Sequence, residues 1–378
     1  MNNTEVMNKS YNVIQNLVRY RGYWKSSTGC NGVQGIVNFS MKPRGEISEL
    51  YDREKEVKQI HGIIGRGDWL SILGPRMVGK TSLARAILDS YEKKGWNTLY
   101  VDLSDAKTAR DLFSTLYTQM PKKLLEKAEV FVSGFEIDVS RVKVKYTPRS
   151  RTMKAIDYVL SNLPRKKMII VLDEFQKVAT GINELKGTFH KLMMEGKDIV
   201  FIFTGSAIGL MKTLQEPKGD EPLAGRPPAE VVLQPWSESL AKEYLRAGLK
   251  GCGVPFTDEE VADVTARLGT LTGWLNYYGR GREDGRSHEA SLRKAEADAK
   301  AMAAKELGKA IGGSPWRKKA LKMMASESQF NEMLQETNVS SKTLSKFLDR
   351  MERMYMIEKN GRNYSIADKM YRSAIREM

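Results

Sequence analysis

The stretch from Trp69 to Leu83, WLSILGPRMVGKTSL, constrains the fold of this chain more than any other. Trp69, Leu70, Ile72 and Leu73 predict a short buried strand. Gly74 follows, then four residues, then Gly79-Lys80-Thr81, which is the spacing of a phosphate-binding loop. Its glycines let the backbone curl until successive N–H groups face phosphate oxygens, and the helix that begins near Gly79 adds its positive end. The candidate cradle is Gly74, Pro75, Arg76, Met77, Val78, Gly79, Lys80, Thr81 and Ser82. Lys80 would reach the β- and γ-phosphates, and the Thr81 hydroxyl would sit on Mg²⁺. Leu83, Ala84, Ile87, Leu88 and Tyr91 give the following helix an apolar face. The stretch therefore predicts a nucleoside triphosphate site.

Downstream, Met168 to Leu172 is a continuous apolar run that ends in Asp173-Glu174. An acid at the end of such a strand can hold Mg²⁺ through water, and the next acid can polarise the attacking water as general base. The reading gives Asp173 the metal and Glu174 the water. Another strand, Asp198 to Thr204, ends in Thr204-Gly205-Ser206, where Thr204 or Ser206 would sense the γ-phosphate; Ser206 serves equally well as a helix cap. Further strands are expected over Asn97–Leu103 and Ala229–Leu233, the latter after a Gly- and Pro-rich loop, 216–228, that contains Arg226. Helices are expected over Ala106–Gln119 and Arg151–Asn162, and Val57, Ile60, Ile63 and Ile64 form a helical stripe ahead of the loop strand. Strands alternating with helices define an α/β class: a parallel sheet with the nucleotide at its carboxyl ends.

At 378 residues the chain exceeds one core, so two or three domains are expected. Residues 1–44, with Gly, Ser and Asn scattered from Ser26 to Ser40, predict a loosely ordered extension with a short helix over Val13–Tyr20. Residues 45–235 carry the sheet. Phe131 to Tyr146 alternates (Phe135, Ile137, Val139, Val142, Val144, Tyr146) like a hairpin at a sheet edge, with Arg141, Lys143, Lys145, Arg149, Arg151 and Lys154 as protective charge. From Ser237 the pattern is helical, with a capping box at Thr257, a helix over Glu289–Ala310 and a linker at Gly312-Gly313-Ser314-Pro315, so 236–313 forms a helical lid. Residues 314–378 have the pattern of a winged helix-turn-helix: helices Lys318–Ala325, Gln329–Glu336 and Ser340–Met354, then a hairpin turning at Asn360-Gly361. Lys and Arg number 61 against 46 Asp and Glu, a net charge of +15 that favours polyanions. Ser341, Lys342, Ser345 and Lys346 could face a major groove of double-stranded DNA, with Lys359 and Arg362 against phosphate; the same unit serves equally as an internal packing module. No apolar run approaches a membrane span, and Cys30 and Cys252 are too few for a disulfide framework or a zinc site, so a reducing cytoplasm is expected.

Taken together, the chain resembles the archaeal ATPase family, within the STAND branch of AAA+-like P-loop NTPases. The resemblance covers roughly residues 45–378. It rests on YDREKEV (51–57), GPRMVGKTSL (74–83), IIVLDEF (169–175), FIFTGSAIG (201–209), PLAGR (222–226), VVLQPW (231–236), LTGWL (271–275) and YSIADKMYRSAI (364–375). It implies slow ATP hydrolysis with Mg²⁺ and a nucleotide state that controls lid and winged helix. It also implies that Arg53 borders the adenine, that Thr204 to Ser206 form sensor 1, and that Arg226 approaches the γ-phosphate in its own subunit or across an interface. Relatives often carry Gly-x-Pro where this chain has Gly273-Trp274-Leu275, which puts the coupling of lid to ligand in question. Two other functions fit the same residues: a nucleotide-regulated DNA-binding regulator or replication-initiator-like protein, and a scaffold that forms homo-oligomers on ATP.

Overall fold

The computed structural model describes residues 37–119, 137–138, 143–144, 167–194, 198–206, 210–216 and 226–378. In the first half, α1 (Glu54–Gly65) leads into β1 (Leu70–Leu73), α2 (Lys80–Glu92), β2 (Asn97–Asp102) and α3 (Ala109–Gln119). Two short strands follow, β3 (Ile137–Asp138) and β4 (Lys143–Val144), then β5 (Met168–Asp173), α4 (Ile182–Met194), β6 (Ile199–Gly205), α5 (Leu210–Gln215) and β7 (Ala229–Val232). Five of these strands form one parallel sheet in the order β2-β5-β6-β1-β7. The chain leaves β1 for the far edge and works back, so β1 lies inside the sheet where the winding reverses, and ligands bind outside the carboxyl ends at such a point.

Strands buried on both faces need apolar residues at every position, which explains the unbroken runs in β5 and β6. Alternation then sorts them. Met168, Ile170 and Leu172 of β5 join Phe201 and Phe203 of β6 on one face, under Leu112 and Leu116 of α3 and Leu185 and Phe189 of α4. Ile169, Val171, Val200 and Ile202 face the other way, against Ile60 and Ile64 of α1 and Leu83 and Ile87 of α2. Trp69 anchors the first face: its indole N–H donates to the Ile199 carbonyl (2.9 Å) and its ring packs edge-on against Phe201.

The second face opens into a helical half. Helices α6 (Glu238–Gly251), α7 (Asp258–Leu268), α8 (Thr272–Glu283) and α9 (His288–Ile311) share one apolar core with the sheet. Leu292, Ala295, Ala299, Ala303 and Leu307 make the buried stripe of α9, and its small residues let neighbours approach closely. At its end Gly312 takes the left-handed cap conformation (φ 57) and Pro315 opens α10 (Pro315–Met324). Then come β8 (Ser328–Gln329), α11 (Phe330–Thr337), α12 (Ser341–Arg353), β9 (Ile357–Asn360), β10 (Asn363–Ile366) and α13 (Lys369–Glu377). The strands pair antiparallel in the order β8-β10-β9.

Three expectations change. Residues 37–44 are not loose: Phe39 is fully buried between α6 and α8, where a Cβ on Gly248 or Gly279 would strike its ring. Its N–H donates to Glu283 (3.1 Å), and burying such a ring contributes on the order of 1.5–3 kcal/mol. The glycine pair does separate α9 from α10, but the segment beyond it is not free of the helical half, because the C-terminal helix α13 packs back on α9, with Lys300 paired to Glu377 (2.6 Å). Finally, among the described residues β3 and β4 pair with each other rather than extending the main sheet. The other predicted residues of that hairpin, its basic strip apart from Lys143, and the helices over Val13–Tyr20 and Arg151–Asn162 lie outside the described residues.

Candidate functional site

The loop after β1 is shaped by backbone that side chains resist. Gly74 has φ 141, and a Cβ there would sit 2.5 Å from the Leu233 carbonyl oxygen. Met77 (φ 65) and Gly79 (φ 103) are left-handed, which curls the chain before α2 begins at Lys80. The Lys80 ammonium folds back on this curl, donating to the carbonyls of Gly74 (2.9 Å) and Pro75 (2.7 Å). Burial pushes its pKa down to about 8, against the pull of Glu174 and Asp173. It is a desolvated cation held by its own loop, which is the state a phosphate would improve most.

Asp173, at the end of β5, is 4% exposed and receives three hydroxyls. Thr81 donates to it over 2.8 Å, and Tyr100 and Thr204 also donate to its carboxylate. Burial and the nearby Asp173 carboxylate push the Tyr100 phenol well up, so it acts here as a donor only. Glu174 then leaves the strand in a left-handed conformation (φ 58), a strained one for a residue with a side chain. Its N–H donates to Thr204 Oγ1 (3.2 Å), and its carboxylate accepts from the Gln176 amide (2.7 Å). Thr204 thus touches both acids from the end of β6 and is itself wholly buried. Sequence motifs alone do not single out Tyr100 or Gln176. Both lie two or three residues from the end of a strand that delivers an acid, which is the signal that could have found them.

A cavity of about 310 Å³ runs from this loop toward Arg53. Arg53 is buried, with its guanidinium donating to the carbonyls of Val78 (3.3 Å) and Gln234 (3.5 Å) and lying 5.7 Å from the Trp236 ring centroid. Ser40 to Arg44 form another wall, tied down by Asn276 donating to the Ser40 carbonyl (3.2 Å) and by the Arg44 N–H on Ser82 (3.1 Å). That wall comes from the segment whose composition reads as loose. A smaller cavity of about 170 Å³ opens on the other side of the loop, lined by Ser206, Gln176 and residues of α9 and α13.

Arg226 is not brought to this site within its own chain. Ala229 pairs with Leu70, so the residues before β7 lie beyond the amino ends of the strands, opposite the loop. Its guanidinium is exposed there and touches Met194 at the end of α4. Lys342, Lys346, Lys359 and Arg362 line neither cavity and are all exposed.

Residues 50–270 match a family described as an ATPase domain predominantly from Archaea. The chain belongs to this family. Its activity as a member of the archaeal ATPase family is the hydrolysis of ATP. A Walker-type ATPase of Pyrococcus abyssi shares the fold at 21% identity and a TM-score of 0.71, over 89% of this chain and 99% of that one. The ORC2 protein of Aeropyrum pernix, solved in ADPNP and ADP complexes, does so at 13% identity and 0.56, over 90% and 95%. No curated protein sequence matches the chain. Among the described residues no helix is long and apolar enough to cross a membrane.

Proposed function

We propose that this archaeal-type ATPase is a switch of the STAND/AAA+ kind. The sheet unit (45–235) grips the nucleotide, the helices of 236–313 act as a lid, and 314–378, read as a winged helix, is the part whose position changes. One contact carries the proposal. The Gly273 N–H at the start of α8 donates to the Met77 carbonyl (3.0 Å), at the left-handed residue of the phosphate loop. A Cβ on Gly273 would strike the Met77 side chain, so the two segments meet backbone to backbone. The contact is made by the glycine two residues before Leu275, the position where relatives often carry a proline, and any ligand that reshapes the loop acts on α8 directly.

In this reading Lys80 and the loop amides bind the phosphates. Glu174 takes a proton from the attacking water, whose oxygen joins the γ-phosphorus as ADP departs, while Gln176 and Thr204 fix the direction of Glu174. Hard oxygen donors suit Mg²⁺, and the Thr81 hydroxyl and Asp173 carboxylate, already 2.8 Å apart, would hold it. Bound there, the ion would neutralise charge on the phosphate oxygens. Arg226 could serve only a neighbouring copy. The switch is tested by amide hydrogen exchange: the backbone of Trp274 to Tyr278 should be more protected with a non-hydrolysable ATP analogue than with ADP. Equal protection in the two states would contradict it.

A second reading, nucleotide-controlled DNA binding, is favoured by one observation. Lys342 and Lys346 on α12, with Lys359 and Arg362 flanking the β9–β10 turn, are all exposed. The other end of α12 is tied to the sheet unit, Asp349 to Lys212 (3.2 Å) and Arg353 to Glu216 (2.7 Å). Such partly exposed pairs are worth about 0–1 kcal/mol each, so they would not prevent release. Replacing the four cations with Ala should weaken a gel shift and reduce its salt slope by about 0.9 for each phosphate no longer neutralised. Unaltered binding would exclude these residues from the interface.

A further inference from the structure

The two cavities on either side of the phosphate loop meet at three side chains. Among the described residues, Arg76, Lys80 and Glu174 line both. Lys80 and Glu174 are the groups expected on either side of a γ-phosphate, so the third member stands at the same place. Arg76 is about half exposed and pairs with Glu306 of α9, and Glu306 also accepts from the Tyr371 hydroxyl of α13. A residue of the loop itself is thereby tied to two helices more than 200 positions away in sequence. Arg226, the cation expected for this task, lies at the opposite end of the sheet in this chain.

We propose that Arg76 is the in-chain cation for the terminal phosphate, with Glu306 as its resting counter-ion. Arrival of a triphosphate moves the guanidinium from Glu306 to the γ-oxygens and frees the Glu306–Tyr371 pair from the loop. The planar fork of an arginine suits two phosphate oxygens as well as it suits a carboxylate. Because ADP offers no γ-oxygens, only ATP has the differential contact that shifts the α9–α13 pair. The inference rests on the switch reading and gives it a triphosphate sensor; hydrogen bonds within the loop already account for Lys80, but they leave Arg76 to the helices.

The test measures phosphate release together with ATP and ADP affinity for Arg76→Ala, Arg76→Lys, Glu306→Gln and Glu174→Gln in the full chain with Mg²⁺. Arg76→Ala should lose about 10²-fold in turnover and weaken ATP while ADP affinity stays within about twofold, and Arg76→Lys should recover part of the turnover. Glu306→Gln should shift the ratio of ATP to ADP affinity toward ATP by about threefold. Turnover of Arg76→Ala at the wild-type rate, equal weakening of both nucleotides, or an unmoved ratio in Glu306→Gln would overturn the proposal. Glu174→Gln separates the two layers. If it alone loses turnover, the Arg76 inference fails and the ATPase site stands; if it hydrolyses freely, the site reading itself fails.

Discussion

Glu174→Gln is expected to bind ATP as the wild-type chain does and to lose about 10²- to 10⁴-fold in turnover. The substitution is isosteric, and the groups proposed to hold phosphate and metal are elsewhere: Lys80 on its loop and Thr81 on Asp173. Glutamine at this position can still accept from the Gln176 amide that now bonds Glu174, so the left-handed turn (φ 58) need not relax. What disappears is the carboxylate proposed to take the proton of the attacking water. Phosphate release at saturating ATP, alongside a direct binding titration, checks both halves of the expectation. Undiminished turnover would remove Glu174 from the chemistry.

Lys80→Ala should have the opposite signature, with binding itself weakened by about 10²-fold or more. A charged hydrogen bond is worth about 1.5–3 kcal/mol, and in the proposed site the ammonium serves two phosphates. The wild type adds a pH dependence. Burial lowers the Lys80 pKa to about 8, so the free protein sheds this charge as pH rises past 8, while a bound triphosphate favours keeping it. Affinity should therefore be level below pH about 7.5 and fall above 8 by up to about tenfold per pH unit, a fall absent in Lys80→Ala. The sign for folding is reversed. Because the unfolded chain holds this proton up to the ordinary value of 10.5, the cost of burying the cation is fully present below pH about 8 and is relieved as pH rises toward 10.5.

The parts of this molecule that could be read in the sequence are those written in local code. The loop, its strand and helix, the acid-ending strand β5 and the capping box at Thr257 each follow from a few adjacent residues, and each lies within two or three positions of its expected place. The parts that could not be read depend on distant partners. Phe39 sits in a Gly-, Ser- and Asn-rich segment, and only Gly248 and Gly279, more than 200 residues on, give it a slot. The position of Arg226 turns on strand direction: a loop residue three places before β7 belongs to the amino end of the sheet, however suggestive its neighbours. The final helix α13 is hidden in a motif recognised as a whole, and its role becomes visible only where Asp368 accepts from the Trp274 indole (3.2 Å). Burial lifts that carboxyl to about 6, a sign of how fully the C-terminal segment is packed against α8.

In the proposed site, loop amides, one ammonium and two acids converge on a triphosphate–magnesium complex. Calorimetric titration of the folded chain with ATP in the presence of Mg²⁺ tests it most directly. One saturable site per chain is expected, largely abolished in Lys80→Ala and retained in Glu174→Gln. A folded sample that takes up no ATP, or a Lys80→Ala chain that binds it as tightly as the wild type, would contradict it.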